Sequence, residues 1–284
     1  MNPPQSDNEQ ESEKPMNVLS PSYRFIRSIW KWRGSIWEMA RRDFISQHSG
    51  TYLGIVWNFV QPLAYAAMLT LVFSIGLRQN PGGEVPFLVY LLTGMIAWNF
   101  FSGALGSLSG IIKAHSFLVH KGNFNLAVLP LPKLLSLMAP HMALIVATVG
   151  ICWLNGIVPS LYALQVLYYL AAMACLLLGL SWIASAASLF IEDVNNLVGI
   201  FVQFGFWFTP IIWNIKIIPL KYRWIVSLNP AYYLVNGYRD SLVFKIPFWQ
   251  RPREMAYFWI LTFLILVLGG IVFRRLKPHF GEVL

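Results

Sequence analysis

The sequence predicts an all-α integral membrane protein. It should have six transmembrane helices, an amphipathic interfacial helix ahead of the first, and a re-entrant helix pair before the last span. Three observations carry this reading. The 284 residues are 57% hydrophobic and only 12% charged, against about 25% charged in an ordinary soluble domain, so a soluble chain could not wet its surface. Uncharged stretches recur that are long enough for the roughly 20 apolar residues a bilayer crossing needs. One interval, 217–243, is apolar only in pieces too short to span. This composition excludes a soluble enzyme, a fibrous protein and a disordered chain.

The elements follow in order. Residues 1–22 are polar and acidic (Asp7, Glu9, Glu11, Glu13) with four prolines, and read as a disordered cytoplasmic tail. No apolar segment opens the chain, so no cleaved signal peptide is expected. Over 23–45, Arg24, Arg27, Lys31, Glu38, Arg41 and Arg42 recur at helical spacing, opposed by a stripe of Ile26, Trp30, Trp37, Ala40 and Phe44. A basic helix with aromatic anchors suits the membrane interface; the same pattern fits a solvated helix packed on a soluble partner. Spans are expected at about 56–77 and 87–111, then two within the uncharged stretch 134–191, with the turn at Asn155-Gly156 and Pro159-Ser160. A fifth fits 194–215 and a sixth 255–273. Between these last two, Asn229-Pro230 breaks the interval 217–243 into two arms. Two short helices that dip in and return fit it, provided protein or a watery cavity shields their backbone.

Six spans place both termini on one side. That side carries thirteen Lys and Arg and the other eight, which favours cytoplasmic termini. Seven of the eight fall in 214–254, so the bias is weaker than usual and the external loop is unusually basic. The net charge of +9 is then a membrane feature, facing anionic lipid and partners, and not a nucleic-acid footprint.

Several chemistries are missing. There is no Gly-x-x-x-x-Gly-Lys-[Ser/Thr] phosphate loop, no His/Cys cluster with metal-ligand spacing, and two cysteines, Cys152 and Cys175, too few for a disulfide framework. The spans hold almost no ionisable group apart from His141, where a proton- or sodium-coupled transporter usually needs one. Energy for any transport would come from elsewhere. Candidate docking points are Lys113, His115, Lys121 and the tight acidic turn Glu192-Asp193, which read either as plain wet turns or as contacts for a soluble partner. Trp98, Phe100 and Phe101, with Phe204, Phe206, Trp207 and Phe208, fit an interfacial aromatic belt or a stacking surface for sugar rings. Ser102, Gly106 and Gly110 recur every four positions, a face for close helix packing within or between subunits.

In sum these residues resemble the membrane subunit of polysaccharide-exporting ABC transporters, the O-antigen, capsule and teichoic acid exporters. The stretch Arg41-Arg42-Asp43-Phe44, then Tyr52-Leu53-Gly54, Trp57 and Gln61-Pro62, is similar to that family's gate helix and first span. Leu92-Thr93-Gly94 with Trp98-Asn99-Phe100-Phe101-Ser102 is similar to its second. Lys121 with Leu129-Pro130-Leu131, Ile191-Glu192-Asp193-Val194, Phe208-Thr209-Pro210-Ile211-Ile212-Trp213, Leu228-Asn229-Pro230 and Tyr238-Arg239-Asp240 complete the order, over about residues 23–284. One departure is Glu192, where the family often carries Arg.

The resemblance implies a homodimer of six-span subunits in the bacterial cytoplasmic membrane, paired with two nucleotide-binding ABC ATPase subunits that hold the ATP and magnesium. It implies a channel for a lipid-linked polysaccharide and no cofactor or covalent chemistry on this chain. Under it, Arg41, Arg42, Asp43, Lys113, His115, Lys121, Glu192 and Asp193 couple to the ATPase. Trp98, Phe100, Phe101, Phe204, Trp207 and Phe208 line the channel, and Asn229, Pro230, Tyr232, Tyr233, Arg239 and Asp240 form the external gate. Two other classes remain open from the residues: an ABC permease for drugs or small lipids, and a membrane-embedded glycosyl or acyl transferase, for which Arg239, Asp240 and Glu254 are the external candidates.

Overall fold

The computed structural model describes residues 19–50, 52–77, 82–83, 85–120 and 124–284, and among these every regular element is helical. Eight longer helices make the frame: α1 (Leu19–His48), α2 (Trp57–Thr70), α3 (Phe87–Ser109), α4 (Pro130–Leu154), α5 (Gln165–Phe190), α6 (Asp193–Phe208), α7 (Pro230–Arg239) and α8 (Pro252–Leu276). Among the described residues five helical stretches are long and apolar enough to cross a membrane: Gly54–Gly76, Phe87–Ser109, Leu126–Leu154, Leu161–Phe190 and Pro252–Val283. They coincide with five of the six expected spans.

The sixth expected span, 194–215, contains only the 16-residue α6. At 1.5 Å per residue that is about 24 Å, short of the roughly 30 Å hydrocarbon core. Pro210 sets the limit: it lacks an N–H and pushes Thr209 out of the helical region, and Thr209 has ψ 133°. The chain then turns inward, with Thr209, Ile211 and Ile212 buried.

Helix α3 is the axis of the bundle. Most of its side chains are apolar or small and buried, and it packs against α2, α4, α5, α6 and α7. The most extensive helix pair is α5 with α8. There Gly179 and Gly269 face each other: a Cβ on Gly269 would lie 2.5 Å from the Gly179 carbonyl oxygen. Missing side chains let two backbones approach where lipid offers no hydrophobic drive. By contrast, Gly106 and Gly110 have open space beside them, so the Ser102, Gly106, Gly110 face mediates no close packing within the chain.

The α5–α6 connection is only two residues, and Asp193 opens α6, where a carboxylate favours the helix N-terminus. Helix α7 starts where the sequence breaks. The Asn229 side chain accepts the Ala231 N–H at 3.0 Å and Pro230 occupies the first turn. Lys245, at φ 56°, ends the widened turn that follows.

A second apolar cluster joins Ile111, Leu126, Trp182, Phe273 and Phe280, with Phe25 of α1 packed on it. It gathers α1, the α3–α4 connection, the end of α5 and the chain's C-terminus at one end of the bundle. The expected tail 1–22 lies outside the described residues up to residue 18, and α1 already starts at Leu19.

Candidate functional site

Helix α1 lies along α4. The face it buries carries Ile36 and Ala40, with Phe25 edge-on to Trp182 at 5.2 Å and Trp32 edge-on to Phe124 at 5.1 Å. Asp43 fixes the register: its carboxylate accepts from Lys133 Nζ at 3.0 Å and from the Ser136 hydroxyl. The expected apolar stripe is therefore split. Ala40 packs inward, whereas Ile26, Trp30 and Trp37 point away from the protein, Trp30 being 73% exposed. The helix has two apolar faces, one for α4 and one with no protein against it. Arg42 pairs with Glu38 at 2.8 Å on the exposed side.

At the same end, Lys113 donates to Glu192 at 2.8 Å, joining the connection after α3 to the one before α6. The ammonium holds the exposed Glu192 carboxyl below its ordinary range. Asp193 lies beside this pair and holds Asn196 at 3.5 Å. His115 Nδ1 lies 3.0 Å from its own helix carbonyl at Ile111. Lys121 lies outside the described residues.

The aromatic residues separate into two sets. Trp98, Phe100 and Phe101 are buried inside the bundle, Trp98 against Phe206 and Phe100 against His141. A single chain offers no open face on them. Phe204, Trp207 and Phe208 are exposed along α6.

The opposite end is organised around α7, which is buried through Tyr232, Tyr233, Tyr238 and Arg239. Asn229 Nδ2 donates to Thr209 Oγ1 at 2.8 Å, Tyr233 and Tyr168 share a hydroxyl contact at 3.1 Å, and Tyr238 meets His141 Nε2 at 2.8 Å. Arg239 and Asp240 do not pair with each other. Asp240 is bridged by Arg251 through two contacts, at 2.6 and 3.1 Å, and Arg251 also reaches Glu254 at 3.6 Å. Arg239, only 2% exposed, spends its donors on backbone carbonyls: Tyr90 at 3.2 Å and Pro210 and Ile211 both at 2.6 Å. Its guanidinium also stacks 3.7 Å from the Tyr90 ring centre.

The sequence reading missed Tyr90, Tyr168, Trp182 and Arg251. Only Arg251 left a signal, as a cation close in sequence to Asp240 and Glu254, two of the twelve acids in the chain. Among the described residues no group of three or more His, Cys, Asp or Glu could hold a metal.

The chain is thus a bundle of apolar helices long enough to cross a membrane, with broken helices at one end and ion pairs at both. Residues 34–243 match the family described as ABC-2 type transporter, and the chain belongs to it. It is a transport subunit without an ATPase domain of its own, and permeases of this family pair with ABC ATPase subunits. Two proteins of Klebsiella pneumoniae named O-antigen export system permease protein RfbA are 27% and 24% identical over 252 and 249 residues, each covering 87% of this chain and 93% of the relative. One of that name from Myxococcus xanthus is 22% identical over 271 residues, covering 91% of this chain and 98% of the relative.

Proposed function

We propose that this chain is the membrane subunit of an exporter for a lipid-linked, O-antigen-like polysaccharide in the bacterial cytoplasmic membrane, driven by ATP hydrolysis on a separate nucleotide-binding subunit. The observation that carries the cargo reading is similarity to O-antigen export permeases over nearly their whole length. Two copies of the chain pair with two ATPase subunits, and both termini are cytoplasmic. The sixth crossing is α6 extended by the buried turn at 209–212, with the pair at about 217–243 re-entering on the external side.

In this arrangement the ion-paired end is the docking face. Arg41, Arg42, Asp43, Lys113, His115, Glu192 and Asp193 make the coupling contact, together with Lys121 from the connection outside the described residues, and the outward Trp30 and Trp37 hold α1 in the headgroup layer. Phe204, Trp207 and Phe208 are the stacking faces left open for sugar rings, whose C–H-rich sides pack on aromatic surfaces. The open Ser102, Gly106, Gly110 face is available to the second subunit.

Deleting the gene should abolish the surface polysaccharide while the lipid-linked glycan accumulates inside the cell. Intact surface glycan with new drug sensitivity would overturn the cargo reading in favour of a drug or small-lipid permease. Turnover of a lipid-linked sugar by the purified chain without ATP would make it a transferase.

A further inference from the structure

We infer that Arg239 is the latch of the external end: it clasps the break after α6 to α3 and α7, so that these three move as one body and the break stays shut against water. The argument starts from the broken helix. Ending α6 at Phe208 leaves carbonyls without intrahelical donors at membrane depth, where each unpaired group is costly. Pro210 cannot supply an N–H to help. The non-helical segment that follows has carbonyls of its own to satisfy, and those of Pro210 and Ile211 are taken by two different nitrogens of one guanidinium, while the third nitrogen turns the other way to the Tyr90 carbonyl on α3. A planar fork with donors fixed in several directions can bridge two elements at once; a lysine ammonium, compact and on a flexible stem, cannot hold the same three acceptors.

Two further features point to a dedicated site. Gly94 leaves the space the guanidinium fills: a Cβ there would lie 2.5 Å from Nη2. The neighbouring carboxylate that could compete for Arg239, Asp240, is engaged by Arg251. The cation is therefore left to carbonyl dipoles and the Tyr90 ring face. Arg239 acts through backbone it positions and touches no cargo in this reading, so the inference stands whatever the cargo is.

The test uses the full chain in membranes, with Cys152 and Cys175 replaced by alanine and a single cysteine at Ile212, buried beside the clasp. The reagent is a membrane-impermeant, water-soluble thiol reagent added from outside. In the parent, Ile212→Cys should be protected. Arg239→Lys keeps the charge but loses the fork, and should raise the modification rate at least tenfold. Gly94→Ala leaves Arg239 in place chemically but removes its seat, and should act in the same direction. A second reporter, Leu144→Cys inside α4, separates a latch from general loosening: it should stay protected in both variants. Protection of Ile212→Cys in both variants would overturn the latch, as would equal gains in reactivity at Leu144→Cys.

Discussion

The Lys113 ammonium and the Glu192 carboxylate lie 2.8 Å apart across two connections that are 79 residues apart in sequence. The pair stitches the end of α3 to the start of α6 on the face proposed to meet the ATPase. Both side chains are more than half exposed, so the bond carries little folding stability. Glu192→Lys should leave the melting temperature unchanged and lower ATPase co-purification and export, because Lys113 then faces a like charge. The swap Lys113→Glu with Glu192→Lys should recover part of the loss. The carboxyl is held low, so the pair is intact above the ordinary carboxylate range and is lost as pH falls through the lowered value. Co-purification across an acidic titration reads this directly.

Helix α1 should separate its two apolar faces by mutation. Trp30→Glu with Trp37→Glu removes the outward anchors and should raise the reactivity of a single cysteine at Ile26 towards a water-soluble thiol reagent while the contact with α4 persists. Ile36→Asp, on the inward face, should instead unseat the helix from α4, seen as faster proteolysis of 19–48. Identical behaviour of the two variants would mean that α1 has one functional face.

These faces show what the sequence could and could not convey. The spans were legible because an uncharged run of 20 or more residues has few other uses, and the break at Asn229-Pro230 because the pair caps one helix while stopping another. The length of α6 was not: residues 194–215 are uncharged throughout, and only the geometry at Pro210 shows that the helix ends early. On α1 a single periodicity could not separate a stripe for α4 from a stripe for lipid, since Ala40 and Trp37 both satisfy it. The small-residue pattern likewise could not tell packing within the chain from packing between chains. Spacing singled out Gly106 and Gly110, which face open space, whereas Gly179 and Gly269 meet across 90 residues of chain. Asp43, Glu192 and Asp240 could be singled out because acids are rare in this chain; the partners Lys133 and Arg251 could not, because the pairs Asp43 with Lys133 and Asp240 with Arg251 depend on how the chain packs.

At the α5–α8 crossing, Gly269→Ala should destabilise the protein by about 1–3 kcal/mol, the usual cost of overpacking, because the new methyl group meets backbone that cannot rotate away. Unfolding in detergent, by heat or by a denaturing detergent titration, measures it. Gly106→Ala, with nothing within 4 Å, should leave the isolated chain at parental stability; parental stability of Gly269→Ala as well would mean the helices have room to part.

Asp240 is 3% exposed and Arg251 30%. Asp240→Asn leaves the guanidinium without its carboxylate and should cost about 3 kcal/mol or less, the lower part of the range for breaking a buried pair, since solvent reaches Arg251. The double change Asp240→Asn with Arg251→Met should be milder than the single one. If the pair were catalytic in a transferase sense, both variants would lose all activity regardless of stability, and comparing export with melting temperature separates the cases.

The segment proposed to re-enter from outside should itself divide at Asn229. Before it, Ile217, Leu220, Tyr222 and Trp224 are exposed, and Lys216 and Lys221 lie among them. After it, Ala231, Leu234, Val235, Tyr238, Leu242 and Val243 are buried. The first arm can reach water because short helical turns there are held mainly by local bonds, such as Arg223 Nε to the Ile218 carbonyl at 2.9 Å. The second arm is tied to α3, α4 and α5 through Arg239, Tyr238 and Tyr233. Single cysteines placed along 216–243 should therefore react with an impermeant thiol reagent from outside up to about residue 228, apart from the buried Val226, and be protected from 231 onward, at every buried position. Even reactivity along the whole segment would make it a surface loop and remove the re-entrant arm. Reactivity only from the cytoplasmic side would place this end of the bundle inside the cell and overturn the six-span arrangement, since α6 would then no longer count as a crossing.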